Sequence, residues 1–172
     1  MNNTLTITVL IAVSTLIGVI IATPSPEPPH DVVAVETIQN PPAEYEALAS
    51  ELNQTRQRYN LPVIDYNTKL QTSACYKADE ILSNDNFNHD NADGTKTWVH
   101  FDKAGYTGTA LGENLAKGYS SDTAMIQAWL DSPSHRANLL SSDYTEQGVC
   151  KKSGTLNGKD ATITVAHYGA RQ

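Results

Sequence analysis

Residues 111–140, LGENLAKGYSSDTAMIQAWLDSPSHRANLL, carry the strongest local signals in the chain. Ser121-Asp122 offers an N-cap, and Ala124, Ile126 and Ala128 supply small and apolar faces for a helix running through Trp129 and Leu130. A second helix should start at Ser132-Pro133, because proline at the first helical position gives up only an N–H that has no partner there anyway. Glu113 lies just before these helices and His135 inside the second, so a carboxylate and an imidazole share one short polar constellation.

Outward from that stretch, the pattern continues to separate into elements. Residues 43–60 place Tyr45, Leu48, Leu52 and Tyr59 on one stripe, the mark of an amphipathic helix that Leu61-Pro62 stops. Residues 67–84 repeat the stripe with Leu70, Ala74, Ala78, Ile81 and Leu82, and put Cys75 on or near the buried face. Residues 83–97 are rich in turn formers and read as a loop, followed by a short helix in TWVHFDKAGY that ends at Gly105. Near the C-terminus, GVCKK and ATITVAHYG read as two strands joined by the turn-prone SGTLNGKD, a hairpin. Helices first and a late antiparallel pair imply an α+β domain.

A chain of 172 residues with a distinct leading tail has room for one globular domain. Its net charge of -7 excludes a nucleic-acid binder, which needs a basic footprint to displace counterions, and disfavours anionic polymers as ligands. Residues 5–22, LTITVLIAVSTLIGVIIA, contain no charged side chain and read, as residues 1–22, as a signal peptide or a retained transmembrane anchor. No Lys or Arg precedes the run and Ile20-Ile21-Ala22 only approximates a cleavage site, so the sequence leaves cleavage open. Residues 23–42 form a Pro-rich linker, in which His30 is a solvated residue rather than a ligand, and residues 43–172 form the domain. The globular part is expected outside the cytoplasm, secreted or membrane-anchored. There the even cysteine count favours a Cys75–Cys150 disulfide, and the absence of clustered cysteine pairs argues against a cysteine metal site.

Read together, FNHD at 87–90, KAGY at 103–106, GEN at 112–114, SPSHR at 132–136 and YTEQGV at 144–149 resemble the CAP superfamily, in its compact bacterial form. This family is also called the SCP domain, after the cysteine-rich secretory, antigen-five and pathogenesis-related proteins. The resemblance implies a three-layer α-β-α sandwich with a small antiparallel sheet. In larger members a cleft holds two His and two Glu, and in some the histidines bind a divalent metal. Carried over motif by motif, the resemblance points to His89, Glu113 and His135. The second Glu is absent, with Ser132 in its place after Trp129. Asp131 is a poor substitute, since one residue along a helix turns the side chain by about 100 degrees.

Two imidazoles and a carboxylate make a first shell for zinc with an open position for water, and Glu113 could instead act as a general base. Against this, the histidines could bond local backbone while Glu113 bridges elements in the core, and no HExxH spacing makes the metal signal specific. Ser132 and His135 as nucleophile and base are outweighed by Ser132's duty at a helix start, and no orienting group or oxyanion motif can be named. His100 and His167 read as satisfied structural histidines, Trp129 and Tyr106 as core aromatics. Asn53-Gln54-Thr55 matches a glycosylation pattern inside a helix and is discounted.

Three functions remain. The favoured one is a non-catalytic binding module whose cleft at His89, Glu113, Ser132 and His135 takes a small amphipathic or cell-envelope ligand, with the lipid precedent coming from the resemblance. The others are a metal-dependent hydrolase of peptide or envelope material and a structural or adhesive surface domain. The N-terminal run, if uncleaved, makes the membrane a partner, while oligomeric state is open.

Overall fold

The computed structural model describes residues 43–171, and the expectations for residues 1–42 lie outside them. Asn67 begins the best-defined helix by accepting hydrogen bonds through Oδ1 from the backbone N–H of Lys69 (2.9 Å) and Leu70 (3.2 Å). From there α2 (Thr68–Asn84) runs with Leu70, Ser73, Ala74, Lys77, Ala78 and Ile81 on its buried face, and ends at left-handed Asp85. Before it come α1 (Ala43–Arg58) and the two-residue β1 (Asp65–Tyr66). After it come α3 (Trp98–Lys103), β2 (Ala110–Lys117), α4 (Asp122–Asp131), α5 (Pro133–Leu139), β3 (Glu146–Leu156) and β4 (Lys159–Ala170).

The strands form one sheet in the order β1-β3-β4-β2, with β4 antiparallel to both of its neighbours, β3 and β2. β1 runs parallel to β3, so the sheet is mixed rather than wholly antiparallel as expected. Alternation along β3 assigns the two layers of helix. Gly148 and Gly154 meet α2, Cys150 is bonded to Cys75 and Lys152 pairs with Asp79. On the opposite face Gln147 donates to the Ala49 carbonyl of α1, and Lys151 pairs with Asp122 at the start of α4. Helices therefore cover both faces, completing the α-β-α sandwich of an α+β domain. The disulfide ties α2 to the first strand of the terminal hairpin, as the cysteine count suggested.

The hairpin is longer than the sequence pattern indicates. β3 and β4 pair as far as Leu156 and Lys159, leaving Asn157-Gly158 as the turn, both at positive φ (50° and 73°). An Asn-Gly pair adopts that geometry readily, so the strands close on two residues instead of eight. Ser121 caps α4 as expected, accepting from the Ala124 N–H at 3.2 Å. Ser132 differs from expectation. It occupies the junction of α4 and α5, yet its hydroxyl makes no cap and meets the Ser134 hydroxyl at 3.4 Å. Pro133 occupies the first helical position, where the missing N–H is no loss, and the N–H groups of the next residues receive no bond from the serine. Among the described residues no helix is long and apolar enough to cross a membrane.

Candidate functional site

The site is built on β2, one of the two edge strands of the sheet. An edge exposes unpaired backbone groups, and here the carbonyls of alternate residues are taken by side-chain donors. Leu111 O accepts from Tyr144 OH (3.3 Å), Glu113 O from Asn138 Nδ2 (2.9 Å) and Leu115 O from Trp129 Nε1 (3.0 Å). This seals the edge against another strand and fixes Glu113 at its centre. The register puts Glu113 directly opposite His167 of β4, so their side chains stand on the same face.

Three donors converge on the Glu113 carboxylate. His89 Nδ1 lies 2.6 Å from Oε1, while Thr97 Oγ1 (2.6 Å) and His167 Nε2 (2.9 Å) share Oε2. Glu113 is only 3% exposed. Burial by itself would raise its pKa, but the hydrogen bonds from His167, His89 and Thr97 bring it down to about 2. His89 is displaced upward, chiefly by its bond to Glu113, whereas burial holds His167 low.

A cleft of about 350 Å³ opens beside this cluster. One wall is His89, Asp90, Lys96, Thr97 and Trp98; the other is Leu111, Gly112 and Glu113 of β2 with Asn138 of α5. Trp98 stays 42% exposed while its ring rests against Phe101 at 5.6 Å between centroids, a fixed aromatic surface at the rim. An ion pair between Lys96 and Asp90 (2.7 Å) lies in the same wall.

Of the four residues expected in the cleft, His89 and Glu113 line it together, while Ser132 and His135 do not line it. His135 lies on α5, its carbonyl held by Asn114 Nδ2 at 3.0 Å. Its imidazole pKa is lowered by burial and then by the charge of His89, so the two rings share a neighbourhood. As a zinc shell the set does not fit. Both carboxylate oxygens of Glu113 are occupied, and among the described residues no group of three or more His, Cys, Asp or Glu could hold a metal ion. Nor does Glu113 suit a general base, because a buried carboxylate with a pKa of about 2 has little affinity for a proton at neutral pH. The accessible nitrogen base of the cleft is the ring of His89.

His167 is buried and satisfied, as a structural histidine should be, but it is also a member of the site. Thr97 and Trp98 join it there without having been singled out. Only the β2–β4 register could have paired His167 with Glu113, and β2 carries no clear strand pattern. His100 is structural but only half satisfied, with Nε2 3.0 Å from Asn91 Oδ1 and its buried Nδ1 without a hydrogen-bond partner among the described residues, and Tyr106 donates to Glu146 in the core.

The sequence pattern of the family described as CAP: Cysteine-rich secretory protein family matches residues 49–168, well over half of the 172 positions. The chain belongs to this family. Among curated proteins, this CAP domain is 29% identical over 106 residues to the uncharacterized protein YkwD of Bacillus subtilis (strain 168), a match covering 61% of the chain and 41% of YkwD. The chain thus spans well under half the length of that relative. Among solved structures, an outer surface protein from Borrelia burgdorferi superposes with a TM-score of 0.65 at 25% identity, covering 75% of this chain and 93% of that one. An extracellular SCP-domain protein from Bacillus anthracis str. Ames gives 0.63 at 23% identity, covering 73% of this chain and 40% of its own, a likeness in fold.

Proposed function

We propose that this CAP domain works outside the cytoplasm as a non-catalytic binding module, taking a small amphipathic or cell-envelope ligand in the cleft beside His89 and Glu113. The observation that carries this reading is the composition of the cleft, where Trp98 and Leu111 offer apolar surface and His89, Asp90, Lys96, Thr97 and Asn138 converge on the same space. Extracytoplasmic placement is supported by the uncharged run at residues 5–22, by the disulfide and by the likeness to an outer surface protein.

Trp98 supplies its own reporter. Titrating the full chain with host lipid extract and, separately, with a digest of host envelope should shift tryptophan emission, and Trp98→Ala should weaken binding at least tenfold. No shift and no co-purifying small molecule would overturn the reading. Metal-dependent hydrolysis has less support, because the residues do not assemble a three-ligand site. A zinc titration by calorimetry should find no tight stoichiometric binding; tight binding lost on His89→Ala with His135→Ala would restore the metal reading.

A further inference from the structure

Glu113 is an ionised carboxylate, so every group hydrogen-bonded to it must donate. That condition fixes both imidazoles. His167 carries its proton on Nε2, facing Oε2 at 2.9 Å. Complete burial keeps this ring neutral, its Nδ1 is therefore a lone pair, and the Ser73 hydroxyl 2.8 Å away donates to it. His89 carries a proton on Nδ1, facing Oε1 at 2.6 Å, so when the ring is neutral, above its raised pKa, Nε2 is bare on a side chain that is 56% exposed at the cleft.

We infer that the buried Ser73–His167 pair positions Glu113 and, through it, holds the neutral His89 ring in a single tautomer whose Nε2 lone pair meets the cleft ligand, which must offer that ring a hydroxyl or amine hydrogen-bond donor. Ser73 and His167 are both 0% exposed, so they act through Glu113 and never touch the ligand. They are positioning residues. With Thr97 and His167 both on Oε2, the other oxygen is left to His89, and the direction of every proton along the line from α2 to the cleft is set. A free imidazole has no such constraint and populates both tautomers. The clause on the ligand rests on the binding role proposed above, whereas the tautomer does not.

The test reads the ring directly. In the ¹⁵N-labelled full chain at about pH 9, well above the ordinary imidazole pKa of about 6.5, two-bond ¹H–¹⁵N correlations should show His89 with a protonated Nδ1 and a bare Nε2. His167→Leu should let the His89 shifts move toward a mixture, and His167→Gln, whose amide can still donate to Oε2, should restore them. A wild-type His89 protonated on Nε2, or a folded His167→Leu variant with unmoved His89 shifts, overturns the inference. Should His167→Leu fail to fold, Ser73→Ala serves instead: it should move the His167 Nδ1 shift and perturb His89, and unmoved shifts at both rings overturn it. For the ligand, at the same pH of about 9, where His89 is neutral, 1-decanol should bind at least tenfold more tightly than decyl methyl ether, which lacks the donor. Equal affinity overturns that clause alone, while binding of neither overturns it together with the amphipathic-ligand reading of the cleft and leaves the tautomer result standing.

Discussion

At Glu113 a nearly buried carboxylate satisfies three donors, so its removal costs more than its size suggests. Glu113→Ala should lower stability by about 2–4 kcal/mol in urea unfolding, because the His167 N–H and Thr97 O–H would be left in a buried space without an acceptor. His89→Ala should cost less than about 1 kcal/mol, since that partner is more than half exposed. The sign of the pH effect follows from the direction of the shift. Glu113 falls from an ordinary 4.5 to about 2, so its contribution is present above about pH 4.5 and drains away as the pH drops toward 2. At 1.36 kcal/mol per pKa unit this amounts to roughly 3 kcal/mol, and Glu113→Gln should flatten the stability profile between pH 4.5 and 2. His89 is shifted the other way: its contribution is full below about pH 6.5 and fades as the pH rises through the raised value. His89 and Glu113 were legible from their short motifs. His167 was not, because it lies 54 residues from Glu113 in sequence and only strand register brings the two together.

At the scale of elements, the helices were legible and β2 was not. A stripe of apolar residues at helical spacing announces α1 and α2, and Ser121 and Pro133 mark the starts of α4 and α5. ALGENLAK lacks β-branched residues and is buried on both faces along its middle, so it shows neither strand composition nor alternation. What makes it a strand is tertiary: β4 on one side and the donors Tyr144, Asn138 and Trp129 on the other. The close approach of α2 to β3 gives the sharpest test of this packing. A Cβ on Gly148 would stand 2.0 Å from the Gln71 backbone N and 2.3 Å from the Leu70 carbonyl carbon, and helix backbone cannot step aside as a side-chain tip can. Gly148→Ala should therefore cost at least about 3 kcal/mol or prevent folding, at the upper end of what overpacking does. Thermal unfolding near wild type would show that α2 is free to slide. Gly154→Ala meets only Leu82 side-chain atoms at 3.1 Å or more and should be much milder.

For the molecule as a whole, the disulfide links the sheet to one of its two helical layers and closes a loop spanning 75 positions. The chain-entropy argument assigns such a loop about 4 kcal/mol, mainly by restricting the unfolded ensemble. Against a total stability of about 5–15 kcal/mol for a domain of this kind, that is a large share, so the fold is well suited to an oxidising compartment and poorly suited to a reducing one. This agrees with the expectation, drawn from the uncharged N-terminal run, that the globular part lies outside the cytoplasm. Cys75→Ala with Cys150→Ala should lower stability by about 4 kcal/mol and the Tm by roughly 15 °C, given a few degrees per kcal/mol at this size. Because Cys150 is fully buried and adjoins the main core, part of the loss will come from packing. Reducing the wild-type bond under a sustained excess of reductant, without alkylation, should give a drop of similar size. Protein recovered from outside its host cells should yield the linked Cys75–Cys150 peptide on non-reducing digestion; two freely alkylated thiols in that material would overturn both the pairing and the compartment it implies.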